Sequence, residues 1–131
     1  MAAKPNAVVV VPAHNESASL PACLIALQAA SAACAAPVTV VVVLDDCTDD
    51  SARLAGQYGD TIHFIHVDER NVGAAQAAGF RYARTVLASS IDETWYATTD
   101  ADTQVPSDWL ARLLDYDAEV VLGVVSGHCP R

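Results

Sequence analysis

Two apolar runs rich in β-branched residues, residues 7–11 and 38–44, constrain the fold of this chain more than any other feature of its sequence. Both are dominated by Val, and β-branched residues favour extended backbone. A strand with one face in water would alternate apolar with polar residues over its whole length, and neither run does so. Both faces of each strand must therefore be covered, which is typical of parallel sheets flanked by helices.

Weaker patterns complete an alternation of strands and helices along the chain. Further strands are predicted at Ile62–Val67, 94–99 and 119–125, and helices at 20–34, 49–58, 71–88 and 106–115. This alternation predicts an α/β fold with right-handed crossovers, in which a mostly parallel, Rossmann-like sheet is ordered around the first strand. Helices on both faces would give three α/β/α layers.

The composition limits both the size of the protein and its partners. With 131 residues, 53% of them hydrophobic, the chain is long enough for one compact domain and too short for two. A net charge of −9, with a single lysine, argues against a nucleic-acid partner. No apolar run reaches transmembrane length, and residues 1–5 show no signal-peptide pattern, so we expect a cytoplasmic protein with reduced cysteines.

Four polar segments follow the predicted strands: residues 12–16, 45–50, 68–73 and 100–103. In open α/β sheets, ligands bind beyond the carboxyl ends of the strands, where the strand order reverses. We therefore expect these segments to lie along one edge of the sheet and to form the ligand site.

Asp100 and Asp102 are the most informative pair in these segments. Two carboxylates two residues apart, where a buried strand ends, repel each other unless a cation neutralises them. On an extended chain they share a face, so both could reach one metal–diphosphate assembly. The alternative is that one caps the next helix and the other is solvated.

The other polar segments also allow two interpretations. Glu16 can accept a hydrogen bond from a ligand or favour the start of the following helix. Asp45 can accept the ring N–H of a nucleobase, whereas capping is the better interpretation of Asp49. The helix that begins near residue 71 can donate N–H groups to an anion, or its small residues can reflect tight packing. His14 lies in a candidate site loop, where an ordinary surface histidine is the alternative.

Taken together, these segments resemble the family 2 glycosyltransferases of the GT-A fold. The motifs are Val-Pro-Ala-His-Asn-Glu, Val-Leu-Asp-Asp-Cys-Thr-Asp, Asn-Val-Gly-Ala-Ala and Asp-Ala-Asp-Thr-Gln-Val-Pro-Ser-Asp-Trp-Leu, in the family's order and spacing between residue 8 and about residue 114. The resemblance implies inverting transfer of a sugar from a nucleotide-sugar donor to an unidentified acceptor hydroxyl, with Mn²⁺ or Mg²⁺ as cofactor.

The resemblance also implies roles for individual residues. Asp45 would meet the base, Asp100 would approach the ribose or the metal-bound waters, and Asp102 would ligate the metal on the diphosphate. The implied metal ligands are Asp102 and Asp100, and the implied nucleotide-binding residues are Pro12, Ala13, His14, Glu16, Asp45, Asn71, Gly73 and Asp100.

Two features depart from the family pattern. Gln76 stands where many relatives carry Arg, and the 131 − 102 = 29 residues after Asp102 contain no Glu-Asp-type base motif. We therefore expect residues 1–131 to form a single donor-binding domain that lacks the acceptor part, has no assignable catalytic base and self-associates into a homo-oligomer. The alternative is a non-catalytic nucleotide-binding fragment or remnant.

Overall fold

The computed structural model describes residues 6–34, 37–85 and 94–115. Strands and helices alternate along these ranges, as the sequence predicts. The elements are β1 (Asn6–Ala13), α1 (Leu20–Ala32), β2 (Val38–Asp45), a short 3-10 helix (Asp50–Leu54), β3 (Ile62–Val67), α2 (Val72–Thr85), β4 (Thr94–Thr98) and α3 (Trp109–Asp115). The strand predicted at 119–125 lies outside the described residues.

The strands form one parallel sheet in the order β3-β2-β1-β4. β1 lies between β2 and β4, with Val9 in register with Val40 on one side and Ala97 on the other. The chain adds β2 and β3 on one side of β1 and then crosses back to place β4 on the other. The prediction of a parallel sheet ordered around the first strand is confirmed, and the strand order reverses at β1.

Each face of the sheet is covered by helices. Val9 and Val11 of β1 face α1 and α3, where they pack in one cluster with Leu24 and Leu110. The intervening Val10 packs on the opposite side, in a second cluster with side chains of α2. Because successive side chains of a strand point to opposite faces, a strand covered on both sides needs apolar residues at every position. The three-layer α/β/α fold is therefore confirmed.

The helix predicted at residues 49–58 is wrong. The backbone forms only the 3-10 helix Asp50–Leu54, because Ala55 has a non-helical ψ of 133° and Gly56 follows with a left-handed φ of 83°. Asp49 caps this helix, because its carboxylate accepts hydrogen bonds from the backbone N–H of Ser51 at 3.0 Å and from its hydroxyl at 2.6 Å. The capping interpretation of Asp49 is thus confirmed.

Two further expectations concern the cysteines and the membrane. Cys23 is buried, Cys34 and Cys47 are half-buried, and all three are free thiols, whereas Cys129 lies outside the described residues. Among the helices of the described ranges, none is both long enough and apolar enough to cross a bilayer.

Helix α2 approaches the sheet closely at Gly79. A Cβ atom added there would lie 2.5 Å from Cγ1 of Val10 and 2.9 Å from Cγ2 of Val43. Both valines are fully buried, so neither can move without disturbing the core. The absence of a side chain at this position lets α2 pack directly on β1 and β2.

We predict that Gly79→Ala lowers the free energy of unfolding by about 1 kcal/mol or more, because overpacking a filled core costs about 1–3 kcal/mol. In an exposed helix the same change would stabilise by about 1 kcal/mol. Urea denaturation of Gly79→Ala, Val10→Ala and the double variant measures this. If the new Cβ clashes with Val10, Gly79→Ala should lower the free energy of unfolding less in the Val10→Ala background. A gain in stability from Gly79→Ala alone would contradict the prediction.

Candidate functional site

A cavity opens at the carboxyl ends of β1, β2 and β4, beside the start of α2. Seven of the nine site residues predicted from the sequence line it, together with three that were not predicted. The predicted set comprises Pro12, Ala13, His14, Glu16, Asp45, Asp100 and Asp102, and the additional residues are Val72, Ala75 and Ala101. The parallel sheet thus brings the polar segments to one edge, as expected.

Asp45 ends β2 as a buried carboxylate with only 5% of its surface exposed. Its Oδ1 atom accepts hydrogen bonds from the backbone N–H groups of Glu69 at 2.8 Å and Arg70 at 2.9 Å. Its Oδ2 atom accepts a third from the N–H of Asn71 at 3.1 Å. Burial raises the pKa of Asp45, but the three N–H donors outweigh burial and leave the pKa below its ordinary value. The carboxylate is therefore held ionised in the cavity wall.

His14 is an exposed side chain whose ring orientation is set by Asp45. Nδ1 lies 2.8 Å from the backbone carbonyl oxygen of Asp45. A carbonyl oxygen only accepts, so Nδ1 carries the proton in this hydrogen bond. In the neutral ring, Nε2 is consequently the acceptor nitrogen.

The loops after β1 and β2 are joined by side-chain contacts to backbone. Asn15 has a left-handed φ of 54°, which Asn tolerates better than most residues. Its Oδ1 atom accepts hydrogen bonds from the N–H groups of Thr48 at 2.7 Å and Asp49 at 3.1 Å. In return, Asp49 Oδ2 accepts one from the N–H of Ser17 at 3.0 Å. Asn15 lies in the predicted site segment 12–16 but was given no role of its own, although its residue type in a tight turn was an available signal.

Glu16 combines both of the roles considered for it. It lines the cavity, and its Oε1 atom accepts a hydrogen bond from the Ser19 hydroxyl at 2.8 Å. Its backbone carbonyl oxygen accepts the N–H of Leu20, the first residue of α1, at 2.8 Å. Glu16 therefore supports the start of α1 while its carboxylate borders the cavity.

Asp100 and Asp102 lie exposed in the turn after β4, on either side of the buried Ala101. Helix α3 begins at Trp109, seven residues after Asp102, so neither carboxylate is at a helix-capping position. The capping alternative for this pair is wrong, and both carboxylates border the cavity.

The turn that carries this pair rests on Cys23 of α1. The Cys23 thiol donates to the carbonyl oxygen of Asp100 at 3.6 Å. Burial, supplemented by the charges of Asp102 and Asp100, raises the pKa of this thiol to about 12, so it stays protonated.

The carboxylate pair fits a cation whose coordination is completed by a phosphate ligand better than a cation held by the protein alone. Within the described ranges, no three His, Cys, Asp or Glu side chains are grouped closely enough to hold a metal ion. Mg²⁺ and related cations in phosphate-transferring sites are typically held by one or two carboxylates, with the substrate phosphates and waters completing the coordination. Asp100 and Asp102 match that minimal protein contribution.

The start of α2 differs from the sequence-based expectation. Asn71 and Gly73 do not line the cavity. The Asn71 side chain instead caps α2, with Oδ1 accepting the N–H of Ala74 at 2.8 Å. The cavity wall is formed by Val72 and Ala75, which face it because the first turn of α2 lies beside the sheet edge. Apolar residues in a polar-looking turn gave little signal in the sequence.

Gln76 lies in α2 beside β4. Its Nε2 atom donates to the Thr98 hydroxyl at 3.4 Å, and that hydroxyl donates to the carbonyl oxygen of Val10 at 2.9 Å. The amide is thus directed at the sheet and adds no positive charge to the site. Among the described residues that line the cavity, none is Lys or Arg.

Comparison with known proteins identifies the family. The sequence model of glycosyl transferase family 2 matches residues 8–131. The chain belongs to this family. No curated protein matches it in sequence.

Solved structures of Staphylococcus aureus TarS share the GT-A fold of this family 2 chain. TarS residues 1–349 superpose with a TM-score of 0.65 at 19% identity, covering 84% of this chain and 32% of TarS 1–349. The complex with UDP gives a TM-score of 0.60 at 18% identity, with coverage of 84% and 32%. The complex with UDP-GlcNAc gives a TM-score of 0.56 at 19% identity, covering 84% of this chain and 31% of the TarS chain. This chain therefore spans less than one third of the length of these TarS chains.

We predict that the free energy of unfolding of this chain falls as the pH drops below about 4, because Asp45 and Asp49 have pKa values below their ordinary 3.8. Side-chain and backbone donors hold the pKa of Asp49 down, chiefly those of Ser51, against the opposing effect of burial. A group with a lowered folded-state pKa stabilises above its unfolded-state pKa, and the stabilisation is lost as the pH falls through the folded-state value.

Urea denaturation between about pH 6 and about pH 3 checks this prediction. The free energy of unfolding should depend less on pH in Asp49→Asn than in the unmodified chain. The control is Asp60→Asn, a change at an exposed turn carboxylate, which should behave like the unmodified chain. Parallel curves for the unmodified chain and Asp49→Asn would contradict it.

Proposed function

We propose that the cavity binds a nucleotide-sugar donor and that this chain forms the donor-binding part of a metal-dependent, inverting glycosyltransferase. The observation that carries the proposal is the exposed Asp100–Asp102 pair in a cavity whose lining, within the described ranges, contains no Lys or Arg. A diphosphate placed there would face several carboxylates, so it needs a divalent cation to bind. Family membership supports the same reaction class.

The residues of the cavity divide into two groups under this proposal. Asp102 and Asp100 would hold Mn²⁺ or Mg²⁺ together with the diphosphate. When bound, such a cation stabilises negative charge on the departing diphosphate as a Lewis acid. The segment 12–16 and the wall around Asp45 would hold the nucleoside. Transfer itself needs a base that deprotonates the acceptor hydroxyl, and we assign that role to no residue.

A uridine nucleotide is the first donor class to test. TarS has been crystallised with UDP and with UDP-GlcNAc, and its fold is shared by this chain. We propose UDP-sugars ahead of GDP- and TDP-sugars on this basis. The acceptor is left unassigned.

Metal and nucleotide should bind with positive coupling. Each would supply part of the other's binding site, so UDP and Mn²⁺ together should raise the melting temperature more than the sum of their separate effects. A thermal-shift panel of UDP-, GDP- and TDP-sugars, each with and without Mn²⁺, measures this. Equal nucleotide binding with and without metal would refute the metal assignment, and no binding at all would refute the donor site.

We predict that Asp102→Ala removes the Mn²⁺-dependent part of nucleotide binding, a loss of about tenfold or more in affinity. Stability should hold or rise slightly, because removing one member of an exposed acidic pair relieves repulsion. Calorimetric titration with UDP and Mn²⁺ measures the first effect and urea denaturation the second. The control is Asp108→Ala, which removes an exposed carboxylate paired with Arg112 outside the cavity. Unchanged UDP binding in Asp102→Ala would overturn the metal role.

The second candidate function is nucleotide binding without sugar transfer. It is favoured because two cavity carboxylates already accept hydrogen bonds within the protein and are less available as a base. Asp45 accepts backbone N–H groups, and Glu16 accepts the Ser19 hydroxyl. Release of UDP from UDP-GlcNAc in the presence of Mn²⁺ separates the two candidates. Turnover supports the transferase, and tight binding without turnover supports the binding protein.

A further inference from the structure

The carboxylate of Asp45 is committed to the loop between β3 and α2. We propose that Asp45 is a positioning residue, which fixes the backbone of residues 69–71 and thereby the α2 wall of the cavity. The proposal deepens the donor-site assignment, and its nucleotide-binding arm rests on that proposed function. It differs from the expectation drawn from the sequence, in which the carboxylate acts directly on the base.

Three consecutive N–H groups converge on this carboxylate, at distances of 2.8, 2.9 and 3.1 Å. Convergence of this kind requires a particular backbone path, and Arg70 in the middle of it has a left-handed φ of 53°. Residues other than Gly, Asn and Asp rarely adopt a left-handed φ, so the contacts around Arg70 must hold its backbone in this conformation. Charge-assisted hydrogen bonds to a buried carboxylate are strong enough to do so.

The contacts continue from this loop into the cavity. Asn71 donates its N–H to Asp45, caps the N–H of Ala74 with its side chain, and accepts the N–H of Ala75 at its carbonyl oxygen at 2.9 Å. Val72 and Ala75, in the turn started by Asn71, line the cavity. The position of the carboxylate therefore sets the position of this wall.

The same residue also orients a second wall. The carbonyl oxygen of Asp45 accepts the proton of His14 Nδ1, so the imidazole of the β1 loop is held by the residue that holds the α2 loop. One residue thus links the two sides of the cavity.

Surface ion pairs do not account for the loop path. The Arg70 guanidinium lies 3.1 Å from Asp46 and 3.3 Å from Asp68, but Arg70 and Asp68 are each more than two-thirds exposed. Exposed pairs of this kind contribute little because water and salt screen them. Asp68→Asn is therefore a matched control, since it removes a carboxylate from the same loop and leaves Asp45 in place.

Direct recognition of the base is the competing role. A carboxylate offers about four acceptor sites, and three are taken, so a single site on Oδ2 is left for a ligand. The two roles differ in their consequences. A positioning residue affects the loop before any ligand binds and affects all nucleotides alike, whereas a base contact is selective for the donor N–H of the base.

The first arm of the experiment is amide hydrogen exchange of the ligand-free chain. Asp45→Asn keeps the side-chain shape but replaces one acceptor oxygen with an NH₂ group that faces an N–H donor. We expect the amides of residues 69–71 to exchange about tenfold faster or more in Asp45→Asn, with β1 amides unchanged and Asp68→Asn like the unmodified chain. Unchanged exchange at 69–71 in a folded Asp45→Asn would overturn the proposal.

A measurement on the unmodified chain covers the case in which Asp45→Asn does not fold. In an acid titration followed by NMR, the amide proton shifts of residues 69–71 should follow the same curve as the Asp45 carboxyl carbon. Independence of these signals from the carboxyl titration would overturn the proposal equally.

The second arm compares UDP with 3-methyl-UDP, which lacks the N3–H of the base, in the presence of Mn²⁺. Positioning predicts that Asp45→Asn weakens the binding of both nucleotides by the same factor, about tenfold or more. A loss confined to UDP would show direct base recognition and overturn the positioning role. If the unmodified chain binds neither nucleotide, the donor-site proposal fails while the exchange arm still decides the role of Asp45.

Discussion

Burial of β1 on both faces is the constraint on which the rest of this structure depends. A strand of nearly continuous valine cannot face water on either side, so α1 and α3 cover one face and α2 the other. Parallel pairing with β2 and β4 then directs the carboxyl ends of all three strands to one edge. The reversal of strand order at β1 opens the cavity at that edge, where every polar segment that follows these strands must meet.

The loops at this edge are stabilised by side chains that bond to backbone. Asn15, Asp45 and Asp49 together accept N–H groups from three separate stretches of chain: residue 17, residues 48–51 and residues 69–71. Such contacts fix the path of a loop because leaving a buried polar group without a hydrogen-bond partner would be costly. They also explain how a chain with short polar turns can place several carboxylates around one cavity.

Electrostatics determine what this cavity can hold. The part of its lining that the structure describes carries Glu16, Asp45, Asp100 and Asp102 but neither Lys nor Arg, and the Gln76 amide is directed at Thr98. An anionic ligand is therefore repelled unless a cation accompanies it. Under the function proposed above, this charge distribution would make the binding of the metal and the binding of the nucleotide-sugar depend on each other.

Local sequence patterns were sufficient to predict the strands, the layers and the edge that carries Asp100 and Asp102, because burial on both faces and strand–helix alternation leave a direct mark on residue order. The extent of the 3-10 helix, the exclusion of Asn71 and Gly73 from the cavity and the inclusion of Val72 and Ala75 left no such mark. The partners of Asp45 lie 24 to 26 residues away along the chain, so only the folded path of the β3–α2 loop could bring them to its carboxylate. The sequence by itself suggested that Asp45 accepts the N–H of a nucleobase. Only the tertiary structure decided that three backbone N–H groups bond to this carboxylate, because the packed sheet and helix determine which donors lie within reach.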